Sequence, residues 1–444
     1  MKRLLPLLLG LLALRLVLMA VVPVFEPSEA RYAAISVNMA RTGDFLVPRF
    51  THNLRYQSFD GKPPLVFQAG GLFCRLFGTG EGELGNRFAN QFAVRLFPLL
   101  SAALLLWILF HCVRRKYDDE AARLAVAICA TSTAFFAAAG ISMTDMPLAC
   151  CVAGALLLYD LGGWSARFGV AALLGAAMIV KGPVGLVMFG LPVFVDAVVN
   201  RNWGRFLDWR WLVVAPVFLA VAAPWFILVE RVNPGTTWYF FYNENFLRFV
   251  TPDYGDKYGK GREAFRGVSV LWAVVATLPW SLLPLFRLVC RGLGKLGLWR
   301  YTDPNGQLPH RQLFTVHCPR LTSFFFLAFA SIVGFWCLTS RVLVYYLFPV
   351  IPLSAAFLAT TADRDWLKKC VPWTTGISAA VVGIGLVVGM FASEKMRGAD
   401  TPFEPRGNHY ACEFYHGTKP EAELAPLRDA ENARLISRGK EPKF

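Results

Sequence analysis

The sequence predicts an all-α protein that crosses a membrane many times. Of its 444 residues, 55% are hydrophobic and only 17% are charged, whereas soluble proteins average roughly 25% charged residues. Apolar runs of about 18 residues or more recur along the chain, each long enough for a helix across about 30 Å of hydrocarbon. Because a soluble protein has too little polar surface to cover so many apolar helices, we predict a polytopic membrane protein with about eleven spans.

The spans divide the chain into one large domain and a short tail. Residues 1–391 form the predicted transmembrane domain, and residues 392–444 form a short polar tail that is too small for a further catalytic domain. The predicted spans, with boundaries loose by a few residues, are 4–24, 92–113, 121–140, 146–162, 166–180, 182–199, 211–230, 267–289, 321–339, 342–360 and 371–391.

The basic residues of the loops indicate the orientation. Lys2 and Arg3 precede the first apolar run, which places the N-terminus in the cytoplasm. Arg15, in the middle of that run, favours a retained span over a cleaved signal peptide. Alternation then puts the basic loops at 114–116, 201–210, 287–320 and 363–369 inside. Two long loops, about 25–91 and 231–266, and the tail face outward.

The net charge of +15 does not indicate a nucleic-acid-binding protein. Basic loops beside membrane helices set topology and meet anionic lipid headgroups. No basic stripe interleaved with aromatic residues lies outside those loops. We therefore expect the membrane and a lipid-linked anionic substrate as partners, and no nucleic acid.

The first outer loop opens with a charged, helix-forming stretch, 25–44. Spacing puts Glu26 and Glu29 on one face of a predicted interfacial helix, with Ser28 as its cap. Such a helix would bring carboxylates and Arg31 to the outer edge of the bilayer. The alternative is a helix that only anchors the loop to the membrane surface.

A second charged turn in the same loop runs from Asp60 to Pro64 and opens another amphipathic segment. Lys62 lies near a helix start, where the dipole disfavours a cation, so an anion is expected to compensate it. A lysine that only snorkels to the interface remains the alternative.

Asp145 lies at a tight turn between two apolar spans. Ionisable groups are costly there and are usually functional, although a carboxylate that caps the next helix is the alternative.

An ordered set of short motifs resembles one family, the lipid-carrier-dependent membrane glycosyltransferases, and within it the aminoarabinose transferases that modify lipid A and, more distantly, the protein O-mannosyltransferases. No single motif is specific, but their order is kept over about 330 residues. The matching segments are Glu29-Ala-Arg31-Tyr32, Gly43-Asp44, Lys62-Pro63-Pro64-Leu65, Thr144-Asp145-Met146-Pro147, Lys181-Gly182-Pro183, Asn233-Pro234 with Tyr239 to Phe249, Leu278-Pro279-Trp280, and Ser340-Arg341 with Tyr345-Tyr346.

The chain also departs from the family pattern. Ser28-Glu29 stands where two adjacent acids are usual, and Asp60 lies one residue further from the lysine than the usual Glu. Asn243-Glu244-Asn245 replaces a segment that commonly holds histidine, and the larger outward C-terminal region is nearly absent. These departures affect the positions that the family pattern would assign to the catalytic base, to any metal site and to acceptor binding.

The resemblance implies a GT-C fold and an inverting glycosyltransferase that uses a polyprenyl-phosphate sugar. Glu29 is then the expected base and Asp60 a metal ligand or orienting group, with Glu26 as a substitute base and Asp145 as a third catalytic carboxylate. No metal ligands are assigned, although carboxylates near a phosphate suit Mg²⁺ or Mn²⁺. Basic residues on the predicted outer side suit the phosphate, and tyrosines suit the sugar or phosphate. The expected substrate-binding residues are Arg31, Tyr32, Lys62, Lys181, Arg248, Arg341, Tyr345 and Tyr346.

The expected reaction is transfer of aminoarabinose to lipid A, on the periplasmic side of a bacterial inner membrane. The donor is a polyprenyl-phosphate-linked sugar, and the acceptor a lipid or glycan. The same mechanism with another sugar or acceptor, such as core, a cell-wall polymer or protein, stays open. The rival class is a lipid-linked sugar carrier, although few ionisable residues lie inside the spans to line a path.

Overall fold

The chain folds almost entirely into helices, as its composition predicts. The computed structural model describes residues 4–25, 27–77, 87–251, 263–282, 323–392, 409–438 and 441–442. Glu26, one of the predicted carboxylates, lies outside these residues. The only strands of the described part form a short antiparallel hairpin in the first outer loop.

The first half of the chain supplies the outer loop and the central helices. Its elements are α1 (Leu4–Val21), α2 (Ser28–Thr42), β1 (Arg49–His52), β2 (Arg55–Ser58), α3 (Leu65–Phe77), α4 (Arg87–Lys116), α5 (Asp119–Ala130), α6 (Thr133–Ala138), α7 (Asp145–Leu161), α8 (Trp164–Val180), α9 (Val184–Val199), α10 (Trp203–Phe206) and α11 (Arg210–Val232).

The second half begins with a helical segment in the second outer loop. It comprises α12 (Thr236–Trp238), a π-helix (Tyr239–Leu247) and α13 (Arg248–Val250), which we call the second-loop helix. There follow α14 (Val268–Ala276), α15 (Phe324–Cys337), a 3₁₀ helix (Val344–Leu347), α16 (Val350–Thr361), α17 (Arg364–Ala392), α18 (His409–His416) and α19 (Glu421–Ile436).

Three described helices are long and apolar enough to cross a bilayer on their own: Ala89–Lys116, Arg210–Val232 and Arg364–Val388. Further apolar helices of 10–17 residues coincide with other predicted spans, among them α1, α8, α9, α15 and α16. The protein is therefore a multi-pass membrane protein, while the number of about eleven spans stays a prediction.

One predicted span, 121–140, is two helices, α5 and α6. The break lies at Thr131, whose hydroxyl bonds back to the Ala127 carbonyl at 2.6 Å and accepts the indole N–H of Trp280 at 3.0 Å. Ser378 in turn donates to the Thr131 carbonyl at 2.5 Å. Side chains thus satisfy polar groups that the helix end would otherwise leave without partners in an apolar setting.

The core lies around α7, in which nearly every residue is buried. α4, α8 and α9 pack against it, and α5 packs between α4 and α16. This arrangement places the start of α7 and the turn between α8 and α9 at the same, predicted outer, end of the bundle.

The first outer loop packs on that end as a layer of α2, the hairpin and α3. Gly71 allows α2 and α3 to approach closely, since a Cβ at this position would lie only 2.8 Å from the carbonyl oxygen of Ser36. α2 exists as predicted, but most of its residues are buried against protein, and no side-chain cap from Ser28 forms.

Candidate active site

Two cations of different outer loops share one buried carboxylate. Glu244, in the second-loop helix, accepts from Nζ of Lys62 at 3.2 Å and from Nη1 of Arg248 at 2.9 Å. Its side chain is only 1% exposed. Lys62 and Arg248 are thereby held side by side, which is the arrangement that a phosphate group requires.

A second ion pair joins two turns of the helical bundle. Nζ of Lys181, after α8, lies 2.5 Å from a carboxylate oxygen of Asp145, the first residue of α7. The ammonium also lies 4.2 Å from the ring centre of Tyr346 and 5.8 Å from that of Tyr345. Both rings therefore add cation–π attraction to the ion pair.

The two pairs belong to one site. Tyr346 lies within electrostatic range of Lys62, Arg248 and Asp145, and Tyr32 within range of Asp145, Lys181 and Glu244. We call these side chains the outer cluster: Tyr32, Lys62, Asp145, Lys181, Glu244, Arg248, Tyr345 and Tyr346. The structure thus brings together six of the eight predicted substrate-binding residues and one of the three predicted catalytic carboxylates.

Local backbone chemistry explains how the cluster is built. Gly182, next to Lys181, has φ +93°, and a Cβ there would lie 2.4 Å from the ring of Phe240. Only glycine allows both this turn and the close approach of the second-loop helix. Pro147 and Pro183 fit helix beginnings, where a missing N–H costs nothing.

Asp60 and Arg341 lie in supporting positions around the second outer loop. Asp60 accepts from Asn233 Nδ2 and from the hydroxyl of Thr236, each at 3.2 Å. It thereby joins the first loop to the start of the second-loop helix. Arg341 donates to the Arg248 carbonyl at 3.2 Å and to Glu263 at 3.0 Å, which holds the far end of that helix.

Glu29, the base that the resemblance favours, is buried and fully bonded. Arg95 donates to both of its oxygens, at 2.7 and 3.0 Å, and the backbone N–H groups of Phe25 and Ser142 each donate at 3.0 Å. The remaining donors of Arg95 bind backbone carbonyls at the end of α1 and just after it, at Met19, Val22 and Pro23. Through these hydrogen bonds Glu29 and Arg95 connect α1, α2, α4 and the turn before α7.

Arg31 lies beside the cluster, against aromatic rings. Its guanidinium carbon is 5.6 Å from the ring centre of Tyr32, 5.5 Å from that of Phe59 and 5.6 Å from that of Tyr410. The three rings form a cage around the cation.

Sequence reasoning assigned no role to three residues that shape this region. Arg95 interrupts a predicted span, 92–113, and a charge inside a span was a usable signal. Glu244 precedes Arg248 by one helical turn, which was a weaker signal. Nothing local to Tyr410 indicated that the tail would return to the first loop.

The described residues offer a poor fit for a metal ion. No group of three or more His, Cys, Asp or Glu side chains converges anywhere in the described ranges. Asp60 and Glu244 are already bonded to amide, hydroxyl and cationic donors. We therefore assign no metal ligand, and the mechanism below is built from the protein side chains.

Comparison with known proteins finds relatives of the family that the ordered motifs indicate. Residues 62–228 match the family model described as dolichyl-phosphate-mannose-protein mannosyltransferase. An undecaprenyl phosphate-alpha-4-amino-4-deoxy-L-arabinose arabinosyl transferase of Edwardsiella ictaluri is 29% identical over 252 residues, which are 54% of this chain and 43% of the relative. A protein of the same name from Yersinia pestis is 26% identical over 312 residues, 66% of this chain and 51% of the relative. The chain thus spans about half the length of these curated relatives.

The fold has a counterpart among solved structures. The crystal structure of ArnT from Cupriavidus metallidurans bound to undecaprenyl phosphate superimposes with a TM-score of 0.63 at 20% identity, covering 99% of this chain and 81% of that one. At this identity the similarity establishes the fold, which is the GT-C fold. The chain therefore has the GT-C fold, and in sequence it is similar to the aminoarabinose transferases and, over residues 62–228, to the protein mannosyltransferase family.

Proposed function

We propose that the protein is an inverting glycosyltransferase that moves a sugar from a polyprenyl phosphate to lipid A, and that this sugar is aminoarabinose. The observation that carries the proposal is the outer cluster, which sets two cations from separate loops beside an Asp–Lys pair and three tyrosines. The relatives named for arabinosyl transfer support the choice of sugar.

The paired cations suit the donor phosphate. When the bond between the sugar carbon and the phosphate oxygen breaks, negative charge grows on the leaving phosphate. Lys62 and Arg248 would stabilise that charge, because their N–H groups already converge on the carboxylate of Glu244. In the absence of donor, Glu244 balances one of the two positive charges, and donor binding replaces or shares its hydrogen bonds.

Asp145 suits the acceptor. The acceptor oxygen attacks the sugar carbon from the face opposite the phosphate, and its proton passes to a carboxylate. Asp145 is the predicted carboxylate that belongs to the outer cluster in the described part of the chain, and Lys181 orients it. Asp60 would act by positioning the second-loop helix against the first loop.

The cellular setting is part of the proposal. The basic loops support an outer cluster on the far side of the membrane from the cytoplasm, which in a bacterium with lipid A is the periplasmic face of the inner membrane. Donor and acceptor are both lipids, so they would reach the site from the bilayer.

Site variants of the purified protein test this mechanism. We expect Lys62→Ala and Asp145→Asn to reduce sugar transfer from the polyprenyl-phosphate donor by about 100-fold or more, while both variants stay folded in detergent. Lys116→Ala is the matched control, because it removes a similar Lys–carboxylate pair, with Asp160, at the opposite end of the bundle. Near-normal transfer by both site variants would reject the assignment.

Mass spectrometry of envelope glycans with and without the gene identifies the substrates. Loss of a pentosamine mass from lipid A supports the proposed donor and acceptor. Loss of another sugar keeps the mechanism and changes the substrate. Unchanged glycans, together with no consumption of lipid-linked sugar by the purified protein in the absence of a gradient, would favour a carrier instead.

A further inference from the structure

The Arg31 guanidinium differs from those of Arg95, Arg248 and Arg341 in its surroundings. Arg95, Arg248 and Arg341 each form an ion pair with a glutamate. In the ranges that the structure describes, Arg31 has no carboxylate partner, and its Nε is buried without a hydrogen-bond partner. The cage of Tyr32, Phe59 and Tyr410 (below, the Arg31 cage) covers the cation with ring faces.

An aromatic cage stabilises a cation but satisfies none of its N–H groups. Ring faces attract the positive charge through their quadrupole, whereas the donors of a guanidinium lie in its plane and point outward as a fork. A buried donor left without a partner is unfavourable. The cage therefore leaves the N–H groups of Arg31 able to donate hydrogen bonds to an anionic oxygen group.

The third wall of the cage comes from the C-terminal tail. The ring of Tyr410 stacks on Phe50 with centres 5.7 Å apart, and its hydroxyl lies 2.9 Å from Nδ1 of His52. Both partners belong to the hairpin of the first outer loop.

Four further hydrogen bonds hold α18 in place. Glu413 accepts from the backbone N–H of Thr51 at 2.9 Å and from Asn38 at 2.8 Å. The Tyr415 hydroxyl donates to Gln91 at 2.5 Å and accepts from the backbone N–H of Val24 at 3.1 Å. The position of Tyr410 is thus determined by a docked helix and not by a loose tail.

The cage adjoins the outer cluster but is distinct from its phosphate-binding pair. Tyr32 belongs to both, since its ring faces Arg31 while Asp145 and Lys181 lie within electrostatic range of its hydroxyl. Lys62 and Arg248 are bonded to Glu244, whereas Arg31 lies against the three aromatic rings. A substrate at Asp145 could therefore extend toward Arg31 without disturbing the donor phosphate.

We propose that the Arg31 cage binds an anionic oxygen group of the acceptor, and that Tyr410 is a positioning residue that gives the C-terminal helix control over acceptor specificity. This inference rests on the proposed transferase function. On lipid A the group would be a phosphate. A phosphate or carboxylate on another acceptor has the same chemistry, and the choice of acceptor in the assay separates them.

Steady-state kinetics with each substrate varied in turn test the proposal. For Tyr410→Ala and Arg31→Gln we expect a KM for phosphorylated lipid A raised about tenfold, with the KM for the donor changed less than about twofold. Tyr410→Phe keeps the ring and should keep the acceptor KM near that of the parent protein. Equal changes in both KM values, or an unchanged acceptor KM, would overturn the proposal.

A binding measurement separates failure of this inference from failure of the proposed function. The intact protein in detergent is titrated with lipid A, and with lipid A from which the phosphates have been removed. Binding that needs the phosphates and is weakened about tenfold by Arg31→Gln supports the cage, even where no sugar transfer is detected. Binding that is indifferent to the phosphates or to Arg31→Gln contradicts it, and this readout also serves if Tyr410→Ala does not fold.

Discussion

At the scale of single residues, the carboxylates that the sequence singles out have different surroundings. Asp145 contacts Lys181 within the outer cluster, Asp60 joins the two outer loops, and Glu29 is buried with Arg95. The sequence predicted all three as catalytic carboxylates of outer loops or turns, with Glu29 as the expected base. Their hydrogen-bond partners distinguish a group available to substrate from one engaged in holding helices together.

Glu29→Gln separates anchoring from catalysis. If Glu29 holds the helices, the variant leaves the charge of Arg95 buried without its partner, which costs about 3–5 kcal/mol. We expect a clearly lower melting temperature in detergent.

Asp365→Asn serves as the control, because that exposed carboxylate pairs only with Lys368 on the surface and its loss should change the melting temperature little. A variant with normal melting and strongly reduced kcat would instead identify Glu29 as the base.

At the scale of elements, the site depends on how closely the second-loop helix approaches the turn between α8 and α9. That helix is a π-helix over Tyr239–Leu247, a geometry often found at functional sites. Its Phe240 ring lies over Gly182, while Glu244 and Arg248 lie further along. A small displacement of the helix would therefore separate Arg248 from Lys62.

Gly182→Ala tests this dependence. The new Cβ would collide with Phe240 and push the helix outward, so we expect transfer activity to fall about tenfold or more, together with reduced stability. Gly267→Ala is a close control, because Gly267 has a similar φ of +88° but no atom within 4 Å of the added Cβ. Both variants carry the same backbone strain. Equal losses of activity in transfer assays would show that strain, and not the approach of Phe240, limits function.

At the scale of the whole molecule, the first outer loop and a helix of the C-terminal tail, which are far apart in the sequence, meet beside the outer cluster. α18 packs on α2 and β1, which joins residues near 410 to the first outer loop. The carboxylate at the centre of this contact is Glu413, which is buried. Burial raises the pKa of Glu413 above its ordinary value of 4.5, although its hydrogen bonds with Thr51, Asn38 and Thr418 oppose the shift.

This shift predicts a pH dependence of stability. The folded protein holds the proton on Glu413 to a higher pH than the unfolded chain does, so the contribution of this group is fully present below pH 4.5 and is lost as the pH rises through its raised pKa.

Glu413→Gln removes this titration, so the melting temperature of the variant minus that of the parent should grow more positive from acidic to neutral pH. Glu423→Gln, at an exposed position, should show no such trend. A difference for Glu413→Gln that stays constant with pH would contradict the prediction.

Much of the architecture can be predicted from local sequence patterns. The apolar runs predict most of the helices, because burial in a membrane requires uniformly apolar helical segments. Within the described residues three predicted spans are interrupted, at Thr131, at Thr277 and at Pro349, since side chains there satisfy or remove helical hydrogen bonds. The expectation of an open interfacial helix missed that α2 is covered by protein, because hydrophobic spacing cannot distinguish lipid from a packed helix.

The sequence by itself determined that this is a helical membrane protein that resembles the GT-C glycosyltransferases, and it predicted which cations and tyrosines lie on one side of the membrane, because periodicity, loop charge and motif order are local properties. Only the tertiary structure decided which of them meet. Arg95 reaches Glu29 across 66 positions, Lys62 reaches Glu244 across 182, and Asn38 reaches Glu413 across 375. Such contacts depend on helix packing, which no neighbouring residue encodes, and so the roles of Glu29 and Tyr410 were visible only in three dimensions.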